Sequence, residues 1–179
     1  EASLINNTIT RNNDGYNGDG FCARSVDIMG GTLNVDLINS IVWGNTANED
    51  IHISGNSVVN ASYSDLGKVN VTAGNYNKGA GNISENPFFV DFPGGDFHLE
   101  RGSPCIDSGS RSVCIPQPFP RPPVCFPIDA PDDDFEGDTR DDSIDMGADE
   151  YHLTSIVLGL DSLQGQGYME VIDANSPYT

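Results

Sequence analysis

The sequence predicts an all-β solenoid, in which short strands of successive repeats stack on one another. The first observation is a repeat: Leu4–Asn12 recurs 33 residues later as Leu37–Asn45, with Leu, Ile and two Asn residues at matching positions. A weaker third copy, Val58–Asp65, follows 21 residues after the second. Repetition at a period of roughly 20 to 50 residues indicates units that bury their apolar faces by stacking. The second observation is that β-branched runs are separated by Asn and Gly, which favour turns.

The strands are expected where apolar residues alternate or run together. Leu33–Ile38 alternates with a period of two, and Ile41–Trp43 is a continuous apolar run. Ile51–Ile53 and Val69–Val71 are further short alternating segments. These patterns are typical of β-strands, and no window has the spacing of an amphipathic helix.

The repeated asparagines are expected to form columns. If the copies stack as parallel strands, Asn6, Asn39 and Asn60 form one column, and Asn12 and Asn45 form another. A side-chain amide can donate to one neighbour in such a column and accept from the other. A structural asparagine ladder is therefore favoured over contacts with sugars.

From about residue 87 the pattern becomes irregular. Pro87–Val90 and Asp96–Leu99 predict two further short strands, and Ser143–Tyr151 predicts a last one. Between them lie a stretch rich in Cys and Pro and an acidic stretch, which together predict an irregular C-terminal cap. We therefore assign residues 1–151 to the last rungs (turns) of a solenoid and its cap.

Residues 152–179 are expected to form a linker and the first strands of a further β module, cut short at residue 179. The strand-like segments there are Ile156–Leu160 and Tyr168–Ile172. The chain opens inside a repeat without an initiator Met or a signal peptide, so we expect it to be a piece of a longer precursor.

The charge of the chain limits the partners that it can bind. Asp and Glu number 27 against 8 Lys and Arg, which gives a net charge of −19. Nucleic acids and anionic membranes are polyanions, so this balance disfavours both as partners and favours cations. No segment has the roughly 20 apolar residues of a membrane span.

Four cysteines are present, and none forms a CxxC pair, which argues against a zinc site and for disulfides. Cys114 and Cys125 flank a Pro-rich segment, and a disulfide between them would close this stiff loop. Cys22 and Cys105 are the candidate second pair. Free thiols are the alternative for all four.

Six short motifs occur in a characteristic order along the chain. They are Asn39–Asn45, Tyr63–Leu66, Gly81–Ile83 with Pro87–Asp91, Asp96–Leu99, Gly102–Asp107 and Asp145–Tyr151. Together they resemble the C-terminal end of bacterial secreted right-handed parallel β-helix proteins of the pectin-lyase-like superfamily. The most similar branch is its group of polymorphic outer-membrane-protein-like surface proteins. The resemblance covers about residues 1–151 and implies a right-handed parallel β-helix in an extracellular location. It implies no activity, because this superfamily includes lyases, hydrolases, adhesins and passive stalks.

The acidic stretch Asp129–Glu150 is the densest candidate for a functional site. Crowded carboxylates in a Gly-containing loop suit Ca²⁺, which takes six to eight oxygen ligands. The stretch begins like an EF-hand loop, but position 12 of that frame is Ser143 rather than Glu. The alternative is a solvated loop in which Arg140 pairs with one or two carboxylates. The candidate Ca²⁺ ligands are Asp132, Asp134, Glu136 and Asp138.

No motif of a known enzyme mechanism is present. The GxSxG, HExxH and P-loop signatures do not occur. The Gly-His-Gly and Arg-Ile-Lys motifs that resemblance to polygalacturonases would require do not occur either. Asp132–Asp134 does not replace the paired aspartates of those enzymes, because it follows a Pro-rich insertion and does not lie on a repeating strand. His98, in a predicted strand, is expected to be structural. Trp43 and Tyr63 are candidates for stacking on a glycan, and packing beneath a neighbouring loop is the alternative for Trp43.

Three functions remain open. The first is a non-catalytic module of a secreted or cell-surface protein that serves as a stalk or contacts an extracellular glycan or a surface protein. The second is the terminal part of a polysaccharide lyase or glycoside hydrolase whose catalytic rungs lie upstream. The third is a self-assembling solenoid subunit, because unpaired strand edges invite end-to-end association.

Overall fold

The computed structural model describes residues 2–13, 20–25, 31–45, 49–115, 124–128, 130–153, 155–160 and 167–172. All regular elements in these residues are strands, which confirms the all-β class. Within them, no helix has the length and apolar character that crossing a membrane requires. The strands are β1 (Ala2–Ile5), β2 (Thr8–Thr10), β3 (Phe21–Arg24), β4 (Leu33–Ile38), β5 (Ile41–Trp43), β6 (Ile51–Ser54), β7 (Ser57–Ser62), β8 (Asp65–Leu66), β9 (Val69–Val71), β10 (Asn75–Lys78), β11 (Phe89–Asp91), β12 (Asp96–Leu99), β13 (Ser112–Ile115), β14 (Val124–Pro127), β15 (Ser155–Leu160) and β16 (Gly167–Ile172).

The first ten strands form three parallel sheets, and successive strands belong to the first, the second and the third sheet in turn. Sheet A has the order β1-β4-β7-β10, sheet B the order β2-β5-β8, and sheet C the order β3-β6-β9. Leu4 pairs with Leu37 in sheet A, and Thr8 pairs with Ile41 in sheet B. The repeat of 33 residues is therefore confirmed as a structural repeat. The predicted strands Leu33–Ile38 and Ile41–Trp43 are found with the predicted bounds.

The third copy of the repeat lies 24 residues after the second rather than 21, which corrects the sequence alignment. Ser40 N–H donates to Ser64 Oγ at 3.1 Å across this separation. Asn60 consequently stands opposite Asp36 in sheet A, and its Nδ2 donates to Asp36 Oδ1 at 2.7 Å. The alignment failed because Val58–Asn60 imitates the residue types of Leu37–Asn39 at a different place in the strand.

The column of Asn6 and Asn39 continues with Tyr63 and Gly81, not with Asn60. All four residues lie at the corner that follows sheet A, and all have a left-handed backbone, with φ of 51°, 48°, 51° and 71°. Asn39 Nδ2 donates to Asn6 Oδ1 at 3.4 Å. The shared property of this column is thus its backbone conformation, which Asn and Gly adopt most readily.

The second predicted column is confirmed. Asn12 Nδ2 donates to Asn45 Oδ1 at 3.1 Å, and Asn45 Nδ2 donates to the Ile9 carbonyl at 3.2 Å. Asn45 also donates to Asp50 Oδ1 through its backbone N–H at 2.8 Å. Asn45 Oδ1 also accepts the Asn12 backbone N–H at 3.1 Å, so this amide satisfies backbone groups of the neighbouring repeat, which is the structural role expected of it.

One apolar core is shared by all three parallel sheets. In sheet C its side chains alternate with polar residues, as in Ile51-His52-Ile53, because successive side chains of a strand point to opposite faces. Among its fully buried members are Leu37 and Val59 of sheet A, Val42 of sheet B, and Ile51 and Ile53 of sheet C.

The described residues between positions 84 and 151 are named here the C-terminal layer, and their apolar side chains cover the opposite face of sheet B. Ile41 belongs to a second buried cluster with Phe89, Leu99, Cys105 and Met146, whereas its neighbour Val42 belongs to the first core. The antiparallel pair β11–β12 provides part of this layer. Sheet B is therefore covered by apolar residues on both faces.

The predicted disulfide within the layer is compatible with the backbone. Cys114 stands opposite Cys125 in the antiparallel pair β13–β14. Directly opposed residues have Cα atoms roughly 4.5–5.5 Å apart, within the range of a disulfide. The bridge itself stays a prediction, and the Pro-rich residues 116–123 between the strands lie outside the described residues.

The candidate second disulfide is wrong, because Cys22 and Cys105 are both free thiols. Cys22 is exposed, whereas Cys105 is buried in the second cluster and its Sγ donates to Asp65 Oδ2 at 3.4 Å.

Beyond residue 151, β15 and β16 form an antiparallel pair. They include the predicted strands Ile156–Leu160 and Tyr168–Ile172. Residues 161–166 and 173–179 lie outside the described residues.

Candidate metal centre

Arg140 organises the end of the C-terminal layer. Its guanidinium is buried and forms an ion pair with Glu150, with 2.9 Å between Nη1 and Oε2. It also donates to the carbonyls of Gly147, Ala148 and Asp149 at 3.2, 2.7 and 3.2 Å. In this loop the N–H groups of Met146 and Gly147 donate to the carbonyls of Cys105 and Asn39 at 3.0 and 2.8 Å, but these isolated bonds do not form a strand. The prediction of a strand over Ser143–Tyr151 is therefore wrong.

Two buried aspartates tie this loop to the rest of the layer. Asp145 accepts the N–H groups of Asp107 and Tyr151 at 2.6 and 2.7 Å. Burial raises the pKa of Asp145 to about 7, although these hydrogen bonds act in the opposite direction. Asp149 accepts the N–H of Leu99 at 2.7 Å, and burial raises the pKa of this carboxyl as well. The carboxylates of Asp145 and Asp149 thus accept three backbone N–H groups that no strand partner satisfies.

His98 of β12 lies among carboxylates. Its Nδ1 is 2.5 Å from Asp96 Oδ1, and its Nε2 is 2.9 Å from Glu136 Oε2. Burial disfavours the imidazolium, but the two hydrogen bonds and the charge of Asp149 outweigh it and raise the pKa of His98 to about 9. Phe135 lies against the ring with 5.4 Å between the centroids.

The structure brings together three of the four residues predicted to bind Ca²⁺. Asp134, Glu136 and Asp138 offer ligand oxygens within 4.8 Å of one another. Asp134 Oδ1 also accepts the N–H groups of Glu136, Gly137 and Asp138 at 2.9, 3.0 and 2.9 Å. Asp132 lies outside this group, and its role as a Ca²⁺ ligand stays a prediction. The three carboxylates fit part of a Ca²⁺ shell, and water would supply the remaining oxygens.

A second group combines His98, Glu136 and Asp149, whose ligand atoms also lie within 4.8 Å of one another. Sequence reasoning missed it because its members are separated by up to 51 positions and belong to three different segments. Its only local sign in the sequence is that His98 shares one face of β12 with Asp96, a carboxylate that can orient the imidazole.

Trp43 and Tyr63 are both half-buried against the second cluster. A Cβ at Gly81 would come 2.2 Å from the Tyr63 ring, so Tyr63 also lies close to the backbone of the next corner. Both aromatic side chains pack against the apolar residues of the second cluster. Contact of Trp43 and Tyr63 with a glycan stays a prediction.

A further polar cluster lies on sheet C. His52 Nδ1 is 2.6 Å from Glu49 Oε1, and Thr72 Oγ1 is 3.3 Å from His52 Nε2. This order of groups is that of a hydroxyl–imidazole–carboxylate triad. However, Thr72 N–H donates to the Ile53 carbonyl at 2.9 Å and cannot serve an oxyanion. Asn70 also donates to Glu49, so we assign the cluster a structural role along the sheet.

Neither a protein-family model, nor a curated protein, nor a solved structure matches this chain.

Proposed function

We propose that the chain is a non-catalytic module of a secreted or cell-surface protein, built as a right-handed parallel β-helix with a Ca²⁺ site in its C-terminal layer. The observation that carries the proposal is the strict rotation of β1 to β10 through three parallel sheets. A chain that visits three sheets in turn and returns to the first in parallel register advances as a coil. Crossovers between parallel strands are right-handed in about 98% of cases, which supports the proposed hand.

Side-chain ladders along the stacking direction support a mechanical role. In sheet A, Asn77 Nδ2 donates to Asn60 Oδ1 at 2.8 Å, and Asn60 Nδ2 donates to Asp36 Oδ1 at 2.7 Å. At the next corner, Ser64 N–H donates to Asn82 Oδ1 at 3.0 Å. These bonds add to the backbone ladders that join successive rungs. Such a module is suited to act as a stalk or a rigid presenting surface.

The charge of the chain narrows the proposed partners. A net charge of −19 disfavours acidic polysaccharides and nucleic acids and favours neutral glycans or cationic protein surfaces. We propose an extracellular glycan or a surface protein of this kind as the partner.

The proposed Ca²⁺ ligands are Asp134, Glu136 and Asp138. A bound cation would relieve the repulsion between their charges and join the two ends of the 134–138 loop. Three carboxylates in a solvated loop favour an affinity in the range of extracellular modules, with a Kd of roughly 10⁻⁴ to 10⁻³ M.

The test is a calorimetric Ca²⁺ titration combined with thermal unfolding in the presence and absence of a chelator. At ten times its Kd, Ca²⁺ stabilises the folded state by about 1.4 kcal/mol, which corresponds to a rise in Tm of roughly 3–6 °C. Asp138→Asn should weaken Ca²⁺ binding at least several-fold. Asp142→Asn, an exposed residue outside the group, removes the same charge and should leave binding unchanged.

A titration without heat, together with an unchanged Tm, would remove Ca²⁺ from the proposal. The non-catalytic part is tested separately by incubating the protein with neutral and acidic polysaccharides and measuring new reducing ends and unsaturated products. Release of either product above the level of a heat-inactivated control would overturn it.

A further inference from the structure

We propose that His98, Glu136 and Asp149 form a site for a borderline divalent cation of the Zn²⁺ class. The site shares Glu136 with the proposed Ca²⁺ group but does not otherwise rest on the proposed function. It differs from that group in containing a ring nitrogen. Imidazole ligands favour Zn²⁺ and other transition metals, whereas Ca²⁺ prefers sites made only of oxygens.

The three ligands come from three different segments of the C-terminal layer. His98 belongs to β12, Glu136 to the 134–138 loop, and Asp149 to the loop wrapped around Arg140. Their ligand atoms lie within 4.8 Å of one another. Zinc bonds of about 2.0–2.2 Å in a tetrahedron place ligand atoms roughly 3.3 Å apart, so modest side-chain rotations would close the site.

The histidine is oriented for metal binding. Asp96 Oδ1 lies 2.5 Å from His98 Nδ1 and also accepts the His98 backbone N–H at 3.2 Å. A carboxylate that receives the Nδ1 proton selects the tautomer whose Nε2 carries a lone pair. That nitrogen faces Glu136 and Asp149. Carboxylate–histidine–metal arrangements of this kind are typical of zinc sites.

The two carboxylates differ in exposure, which suits a site that is entered from the solvent side. Asp149 is 3% exposed and is held by the Leu99 N–H at 2.7 Å. None of the ion pairs among the described residues includes Asp149. The Glu136 side chain is 45% exposed, and its Oε2 lies 2.9 Å from His98 Nε2. A cation would compensate the buried charge of Asp149, and Glu136 would complete the set from the solvent side.

The same contacts suit an imidazolium ion that bridges Asp96 and Glu136 without any metal. In the imidazolium form a proton lies between His98 Nε2 and the carboxylates, and in the metal-bound form the metal ion takes its place. Zn²⁺ would displace that proton on binding. Three protein ligands leave a fourth position for water.

The test is a calorimetric titration of ZnCl₂ into the metal-free full chain, with CaCl₂ titrated separately. We expect one Zn²⁺ per chain and at least a tenfold loss of Zn²⁺ affinity in His98→Gln. His152→Gln, a half-buried histidine outside the group, is the matched control and should bind Zn²⁺ like the parent chain. Glu136→Gln, at an exposed position, should weaken Zn²⁺ binding without affecting folding.

Equal Zn²⁺ affinities in the parent chain, His98→Gln and Glu136→Gln would overturn the proposal, because binding would then be adventitious. Far-UV circular dichroism verifies that each variant is folded. The two cations separate this proposal from the preceding one. Zn²⁺ binding that depends on His98, without Ca²⁺ binding, supports this site and removes the Ca²⁺ site. Ca²⁺ binding that depends on Asp138, without Zn²⁺ binding, does the reverse.

A second readout follows the nitrogen itself. In ¹⁵N-labelled protein, Zn²⁺ should shift the Nε2 resonance of His98 while Nδ1 stays protonated. The resonances of His52 and His152 should not move. A shift of all three histidines to a similar extent would contradict a specific site.

Discussion

In the stacked sheets, formed by β1 to β10, the backbone of each strand pairs with the neighbouring strand of its sheet. In the C-terminal layer, buried carboxylates accept several of the backbone N–H groups instead. Leu37 pairs with Ala61 in a ladder of six residue pairs. In the layer, the N–H groups of Leu99 and Asp107 instead donate to Asp149 and Asp145. The first region is therefore held by a repeated pattern, and the second by individual side chains. We expect single polar substitutions to damage the layer more than the sheets.

The two regions depend on each other through sheet B. A Cβ at Gly147 would come 2.7 Å from Ile41 Cδ1 and 2.8 Å from Thr8 Oγ1, so the layer approaches the sheet at van der Waals distance. Ala148 N–H donates to Thr8 Oγ1 at 2.9 Å. Trp43, the only tryptophan, packs at this interface and can report its opening.

The largest expected effect is that of Arg140→Met. The substitution leaves Glu150 buried without its cation and removes three donors to the carbonyls of residues 147–149. Breaking a buried ion pair on one side costs about 3–5 kcal/mol. We expect a loss of this size in the free energy of unfolding, measured by urea denaturation with Trp43 fluorescence. The sheets should retain their far-UV circular dichroism at urea concentrations where the layer has already opened.

Arg101→Met is the matched control, because Arg101 is exposed. It should change the free energy of unfolding by less than about 0.5 kcal/mol. If Arg140→Met were equally mild, the layer would not depend on single side chains, and the contrast between the two regions would fail.

The same contrast explains what the sequence could predict. The alternation of Leu33–Ile38 is a local pattern repeated at a fixed distance, so both the strand and its pairing could be predicted. The alignment of Tyr63 with Asn39 could not, because the shared property is a left-handed backbone and the residue types differ. In the layer, Ser143–Tyr151 has the alternation of a strand but wraps around Arg140, and a contact with a single side chain leaves no periodic signal.

Some contacts of the candidate site could likewise be predicted from the sequence, and others could not. Asp134, Glu136 and Asp138 are close in sequence, so their proximity could be predicted from a loop. His98 and Asp149 reach the site through tertiary packing of β12 against the loop around Arg140. No spacing in the sequence encodes that contact, and the metal group containing them emerged only from the structure.

A smaller effect is expected at the corner where the two regions share hydrogen bonds. Asn39 Nδ2 donates to the Ser110 carbonyl, and Asn39 Oδ1 accepts the Ser110 N–H, each at 2.9 Å. Asn39→Ala should cost roughly 2–4 kcal/mol, because it removes these bonds and places Ala in a left-handed conformation. Asn39→Gly removes the bonds alone and should cost about 1 kcal/mol less. Urea denaturation measures both variants.

Asn60, in the middle of β7, supplies the opposite control. There the backbone is extended, so Asn60→Gly should be less stable than Asn60→Ala by roughly 0.5–1 kcal/mol. The same rank order of Gly and Ala at positions 39 and 60 would show that the left-handed corner does not contribute to the repeat.

The smallest expected effect concerns Asp65, a fully buried residue of sheet B beneath the C-terminal layer. Its carboxylate accepts the Glu85 N–H at 3.0 Å and the Cys105 thiol at 3.4 Å. Burial is the main cause that raises the pKa of Asp65 to about 6, and the nearby charges of Glu85 and Asp50 add to it. The folded state thus binds a proton more tightly than the unfolded chain. The contribution of Asp65 to stability is therefore greatest below pH 4 and falls as the pH rises to 6.

Asp65→Asn should remove this dependence, because the amide oxygen can still accept the Glu85 N–H and the side chain carries no charge. Above pH 6 the variant should be more stable than the parent by roughly 2–3 kcal/mol, and near pH 4 the difference should fall below about 1 kcal/mol. Urea denaturation at pH 4.5, 6 and 8 measures the difference, and the contribution of Asp145 cancels because both proteins contain it. Asp142→Asn, at an exposed position, should give no such divergence. If the free energies of unfolding of Asp65→Asn and the parent differed by the same amount at all three pH values, burial would not raise the pKa of Asp65. Water would then reach Asp65 between sheet B and the C-terminal layer, contrary to the burial of this side chain.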